Sequence, residues 1–431
     1  MAERRPSSAV ARALAARPVP AGAEVVIIGG GIAGLACARE LAARGIRDVV
    51  IVERGYPGSG ATGRNVARIR RMQLTEELCH VAAACQATYE RMGDELGFNV
   101  LFYRLGYAWI LYEDDEVARM RDIVAMHRRL GIRSDLLSPD ETLRHLPVFT
   151  GGEPVAGAVL SDDAIVHHDA VVWAHLEHLA CRAPGVTILP HTTVTAIEHG
   201  DGGVRAVVTD RGRIETRAVV NATDGWSVEL NAMAGVTMPN RPLRREVLVT
   251  APIRRSIEAA VTFYRPHEGW FNQTLRGEIV MGAVDPDEPA TVTQASSWAF
   301  LRRTADLMTR KAPALAEATV IRQWAGMYDV TPDHHAIVGP TAQLDGWWLA
   351  HGWSGRGMLL APFLTSLLAE RIATGRSDPM LASFDPDRFG AEGDTGDAAT
   401  PTGPTDYYAR YGVGSASSAR AGSTTTSASG S

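Results

Sequence analysis

Val25-Val26-Ile27-Ile28-Gly29-Gly30-Gly31-Ile32-Ala33-Gly34 opens with four consecutive apolar residues and closes on glycines spaced G-x-G-x-x-G. An unbroken apolar run is what a strand covered on both faces requires. Gly29 permits a tight turn, Gly31 lets backbone approach a pyrophosphate at a helix N-terminus, and Gly34 lets helix and strand pack closely. Ile32 to Arg44 is rich in alanine and leucine and stops at Gly45, a good residue just past a helix end. Val49 to Val52 reads as a second buried strand. Glu53 follows it, 19 residues after Gly34, where a carboxylate accepts hydrogen bonds from ribose hydroxyls. The glycine pattern alone is weak. Strand, turn, helix, strand and acid in that order make a dinucleotide site the better reading than a bare turn.

Working outward, Leu96 to Leu146 reads as short mixed strands with a helix around Glu116 to Leu130, and Asp169 to Ala180 as another helix. Thr192 to Val220 reads as a strand meander turning at Gly200-Asp201-Gly202-Gly203 and Arg211-Gly212. Strands are expected over 241–285, and helices at Trp298 to Thr309 and Gly357 to Thr374. The fold class is therefore α/β: a discontinuous Rossmann-like nucleotide-binding domain (23–95, 150–235 and 322–389) and a second α+β substrate domain on a mixed or antiparallel sheet (96–149 and 236–321). Residues 1–22 and 390–431 are expected to be disordered extensions, since Ser415 to Ser431 is nearly all Ser, Thr, Ala and Gly and buries too little to offset ordering entropy.

Bulk properties exclude several classes. The net charge of −6 over 431 residues gives no basic footprint for nucleic acid. No apolar run is long enough to span a bilayer, and the Arg-bearing start lacks the apolar core of a secretory signal. Cys37, Cys79, Cys85 and Cys181 form no CxxC pair, which fits thiols in a reducing cytoplasm. Of 43 basic residues, Lys311 is the single lysine.

Gly58-Ser59-Gly60-Ala61-Thr62-Gly63-Arg64-Asn65 follows the second strand and suits a loop wrapping phosphates. Only one glycine fingerprint is visible, whereas a flavoprotein that also binds NAD in the same chain usually needs a second. With Val66-Ala67-Arg68-Ile69-Arg70, the loop resembles the sarcosine oxidase branch of the D-amino acid oxidase-like flavoproteins, nearest to the flavin subunit of the heteromeric enzymes. Three further stretches carry the resemblance: Val220-Asn221-Ala222-Thr223-Asp224-Gly225-Trp226-Ser227, Trp324-Ala325-Gly326-Met327-Tyr328-Asp329, and His351-Gly352-Trp353-Ser354-Gly355-Arg356-Gly357-Met358. The resemblance implies FAD as cofactor. The expected contacts are Gly29, Gly31, Ile32, Ala33, Gly34, Glu53, Arg54, Thr62, Gly63, Arg64, Asn65, Val194, Thr223, Gly225, Trp226, Gly326, Gly355, Gly357 and Met358. It also implies oxidation of a small amine or amino acid by hydride transfer, and a partner subunit as an open alternative. A 2-hydroxy acid substrate is the other alternative. That chemistry wants a base such as histidine, for which His267, His334 and His335 are the candidates.

The sequence departs from the pattern in places. Gly326 stands where some relatives hold FAD through cysteine, so the cofactor is expected to be non-covalent. Val166-His167-His168-Asp169 resembles a segment that carries a second flavin, FMN, on histidine; the favoured reading is a helix start capped near Asp169. His175 and His178 lie one helical turn apart, but no acidic partner set accompanies them, and no metal site is assigned. Arg70 matches the arginine that grips the substrate carboxylate in relatives, while Leu359 stands where their lysine lies. Arg356 is the candidate to replace that charge, and Arg68 a weaker one. Lys311 is expected to be solvated. Tyr264, Trp270 and Phe271 are expected to roof the substrate.

Overall fold

In the computed structural model, which describes residues 10, 11, 14, 15 and 17–390, Val25–Ile28 and Val49–Val52 are strands with every residue buried. They pair in parallel, Val25 beside Val49 through Ile28 beside Val52. The six-stranded sheet they belong to runs Ile337–Pro340, Trp347–His351, Val219–Asn221, Val25–Ile28, Val49–Val52 and Val186–Leu189. Its neighbours are parallel except for the first pair, an antiparallel hairpin. The helix Ile32–Ala43, mostly buried, packs against the final helix Gly357–Thr374, half of whose residues are buried. Parallel strands buried on both faces need such cover.

A second sheet of eight strands runs Val320–Val330, Arg241–Thr250, Ile279–Ala283, Gly269–Gln273, Ala260–Phe263, Tyr107–Leu111, Gly157–Ser161 and Ser134–Leu137. Only Ala260–Phe263 beside Tyr107–Leu111 is parallel. The meander is a separate antiparallel sheet of Val194–Gly200, Gly203–Thr209 and Gly212–Glu215.

The structure departs from the sequence reading at several points. Gly157–Ser161 and Val320–Val330 lie in the eight-stranded sheet rather than with the nucleotide-binding segments, because each completes an antiparallel ladder there. Residues 17–22 are ordered, not a free extension. Glu215 N–H donates to Ala21 O at 2.9 Å, and Arg211 Nη2 to Arg17 O at 2.7 Å. The tail expected from 390 onward lies outside the described residues beyond Gly390.

Glu76–Leu96 is a helix that the sequence reading did not assign. Thr75 Oγ1 accepts from Leu78 N–H at 3.3 Å at its start, and Gly97 ends it at φ +66. Lys311 is buried, not solvated. It ends the helix Trp298–Lys311, whose inward face carries Thr304, Leu307, Met308 and Lys311 at helical spacing. Its Nζ lies 2.6 Å from Glu153 Oε2, donates to Arg265 O at 3.1 Å, and sits 3.2 Å from the Tyr112 ring centre. Among the described residues, no helix is long and apolar enough to cross a membrane.

Two buried histidines and a half-buried one make the fold acid-sensitive. His175 donates Nδ1–H to Val171 O at 2.8 Å on the helix His168–Arg182 and is pushed down to about 3, by burial first and Arg39 second. Burial and then Arg356 push His334 to about 3 and His335 to about 4. The ordinary value is 6.5, so between there and those values the unfolded chain binds protons that the folded chain does not. Stability from these groups is therefore full above that ordinary value and is lost as pH falls. Thermal melts across this acid range should show a falling Tm, with a shallower fall in His175→Gln. A flat Tm would mean that these imidazoles are not held neutral.

Candidate active site

The turn after Val25–Ile28 faces open space. Gly29 adopts φ +111, and a Cβ there would lie 2.5 Å from Ala222 O. Gly31 precedes the helix without a side-chain cap. The orphan Ile32 N–H is met from across the loop by Thr62 Oγ1 at 3.0 Å. Glu53 braces the same turn: Oε2 accepts from Gly30 N–H at 2.7 Å and Oε1 from Gly55 N–H at 2.6 Å. Trp324 Nε1 donates to Arg64 O at 3.0 Å, tying the glycine-rich loop to the long strand of the second sheet.

Gly29, Gly31, Glu53, Gly55 and Thr62 line a cleft of about 610 Å3 whose walls come from both sheets. Arg54, Asn65, Val194, Thr223, Trp226, Gly326, Gly355, Gly357 and Met358 line it as well, as do Ile32, Ala33 and Arg64. Gly34, Gly63 and Gly225 do not. Gly34 packs on the Gly29 carbonyl, and Cβ atoms at Gly63 and Gly225 would meet Gly58 O at 2.5 Å and the Met327 side chain at 2.8 Å. Their role is close packing behind the wall.

Arg70, Tyr264 and Arg356 also line the cleft. Arg70 Nη1 donates to Tyr107 OH at 3.2 Å, and that hydroxyl donates to Thr262 Oγ1 at 2.7 Å. Arg68 is committed to the sheet: Nη1 donates to Thr262 Oγ1 at 2.7 Å and Nη2 to Val261 O and Phe271 O, each at 3.1 Å. Arg356 precedes the helix Gly357–Thr374 and donates Nη2–H to His334 O. Leu359 lines the cleft as a buried aliphatic group. Trp270 lines it too, but Phe271 does not: alternate strand residues face opposite sides, and Phe271 is buried against Phe149 at 5.7 Å between ring centres. His167 rather than Asp169 takes the cap position of its helix, and Asp169 falls in the first turn.

Sequence reading missed Tyr107, Thr262, Arg245, Glu268 and Gln294, all of which line the cleft. Tyr107 and Thr262 meet across a parallel strand pair 155 residues apart, which no local pattern records. Arg245 did carry a signal, a cation on the inward face of a strand. Asp224 is a further wall residue, at φ +48. Its carboxyl is held well above the usual range by burial and then by Asp329, which favours the neutral form.

Residues 24–371 match the family model described as FAD dependent oxidoreductase, DAO. The chain belongs to this family of FAD-dependent oxidoreductases. It is 29% identical to the sarcosine oxidase subunit beta of Rhodobacter capsulatus over 85% of this chain and 88% of that one. The corresponding subunit from Rhizobium meliloti is also 29% identical, over 85% and 88%. Among solved structures, L-proline dehydrogenase from P. horikoshii superposes with a TM-score of 0.79 at 30% identity, covering 86% of this chain and 98% of that one.

The cleft fits FAD on its own geometry. A bare glycine turn, a helix start held open from across the loop by Thr62 and a braced acid suit a dinucleotide's pyrophosphate and ribose. Thr62→Ala should cost about 1 kcal/mol of this preorganisation, weakening FAD binding roughly fivefold. Fluorescence titration of apoprotein would measure it, with Thr62→Ser retaining the affinity. Equal affinity in Thr62→Ala would remove the hydroxyl from the cofactor site.

Proposed function

We propose that this flavoenzyme oxidises a small amine or amino acid, of the sarcosine, glycine, dimethylglycine or D-amino-acid type. The observation that carries the reading is Arg70, set on Tyr107 OH at 3.2 Å inside the FAD cleft, which Tyr264 and Trp270 also line. A guanidinium grips a carboxylate bidentately, and aromatic walls exclude water around the reacting carbon. FAD, when bound, supplies the hydride acceptor at N5, and the oxidised amine leaves as an imine that hydrolyses. The chain's own residues orient the substrate: Arg70 holds its acid end, and the aromatic residues hold its carbon chain over the cofactor.

A hydroxy acid would call for a base at its hydroxyl. Among the described residues, no histidine lines the cleft, which favours the amine. The two curated relatives described above are each a subunit beta, which supports a partner subunit for this chain. We place the protein in the cytoplasm, where the buried thiols of Cys37, Cys79 and Cys85 stay reduced.

Anaerobic mixing with sarcosine, dimethylglycine, glycine, proline, D-amino acids and 2-hydroxy acids should bleach the flavin absorbance with an amine. Arg70→Ala should then lower kcat/KM by about 10- to 150-fold, the loss of one charge-assisted contact. Bleaching by hydroxy acids alone would overturn the reading. Activity seen only after co-expression with a second subunit would establish the partner.

A further inference from the structure

Arg245 projects from the strand Arg241–Thr250 into the cleft. Its Nη1 donates to Arg244 O at 3.1 Å, and its guanidinium lies 5.5 Å from the Tyr328 ring centre. Its Nε and Nη2 are buried and have no acceptor among the described residues. Two acids beside this strand, Glu288 and Glu246, are engaged by the neighbouring arginine on the opposite strand face: Arg244 Nε lies 2.8 Å from Glu288 and Nη2 lies 3.7 Å from Glu246. A desolvated guanidinium with two unsatisfied N–H groups is costly, and an anion in the cleft relieves that cost.

Arg70 is anchored on a different strand of the cleft floor. The contacts Arg70–Tyr107 at 3.2 Å and Tyr107–Thr262 at 2.7 Å fix its guanidinium above the strand Ala260–Phe263. Gly269–Gln273 and Ile279–Ala283 separate that strand from the one carrying Arg245. Three strand spacings amount to about 14 Å of backbone separation. Arg68 fills the interval, bonded to Thr262 and 5.3 Å from the Trp270 ring centre. A molecule with acidic groups at its two ends is suited to engage cations carried on such separate parts of the floor.

We propose that Arg245 is a second anion-binding residue of the substrate cleft, and that with Arg70 it selects an amine bearing two carboxylates. The proposal rests on the amine-oxidation reading for the word amine, and on the cleft geometry alone for the two acids. Malonate, succinate and glutarate serve as probes beside acetate, propionate and butyrate, each titrated into the FAD-loaded protein while the flavin spectrum is followed. The best dicarboxylate should bind at least about tenfold more tightly than its monocarboxylate partner. Arg245→Gln should erase that preference, and Arg245→Lys should restore part of it.

FAD content and Tm are measured on each variant, so a misfolded protein is recognised. Equal affinity for the two probe series in the wild-type protein would overturn the proposal. So would a preference that survives in Arg245→Gln. A flavin spectrum altered in Arg245→Gln before any carboxylate is added would assign the guanidinium to the cofactor instead. Tight dicarboxylate binding with no flavin bleaching by any amine would sink the oxidation reading and leave Arg245 as assigned. Bleaching by monocarboxylic amines without a dicarboxylate preference would do the reverse.

Discussion

A buried carboxylate, Asp329, joins the two sheets at the base of the cleft. It stands near the end of Val320–Val330 in the eight-stranded sheet. Its Oδ2 accepts from Ser227 Oγ at 2.8 Å, Gly352 N–H at 2.8 Å and His351 Nδ1 at 3.1 Å, and its Oδ1 from Asn240 Nδ2 at 2.6 Å. Four donors are what such a charge needs once water is removed. His351 belongs to the six-stranded sheet, and its Nε2 accepts from Asn231 Nδ2 at 3.2 Å, which fixes the imidazole with its proton on Nδ1. The Asp329 backbone carbonyl takes Ser354 N–H at 2.8 Å. One residue thereby sets the turn 352–356 and so the start of the final helix. Beside it, burial and then Asp329 raise the Asp224 carboxyl.

What the sequence disclosed follows from the range of each constraint. The strand Val25–Ile28, the helix from Ile32 and the strand Val49–Val52 were legible because backbone packing and a pyrophosphate cradle demand particular residues within thirty positions of one another. The meander was legible for the same reason, its turns marked by glycine. Lys311 was misread because a charge at a helix end looks solvated unless its partner is known, and Glu153 lies far along the chain. Phe271 and Trp270 are adjacent in sequence and part company in space, so the composition of the strand could not say which one faced the cleft. The helix Glu76–Leu96 carried a capping threonine and a terminal glycine, signals that lay in plain view between two more insistent motifs.

The cleft's charge distribution explains how it does without a lysine at position 359. Leu359 presents an aliphatic surface there, yet the helix Gly357–Thr374 points its N-terminus at the cleft with no acid in its first turn. Unmet N–H groups at that end carry partial positive charge, and Arg356 stands immediately before them. Negative charge developing on a group bound against that end is therefore met by the backbone and one arginine. The positive end of the helix and the cations on the sheet floor then serve different partners. The first faces the cofactor, which the glycine turn positions. On the proposed reading, the second, Arg70 and Arg245, meet what enters beside it, and the span between its acidic groups is the quantity on which selection would act.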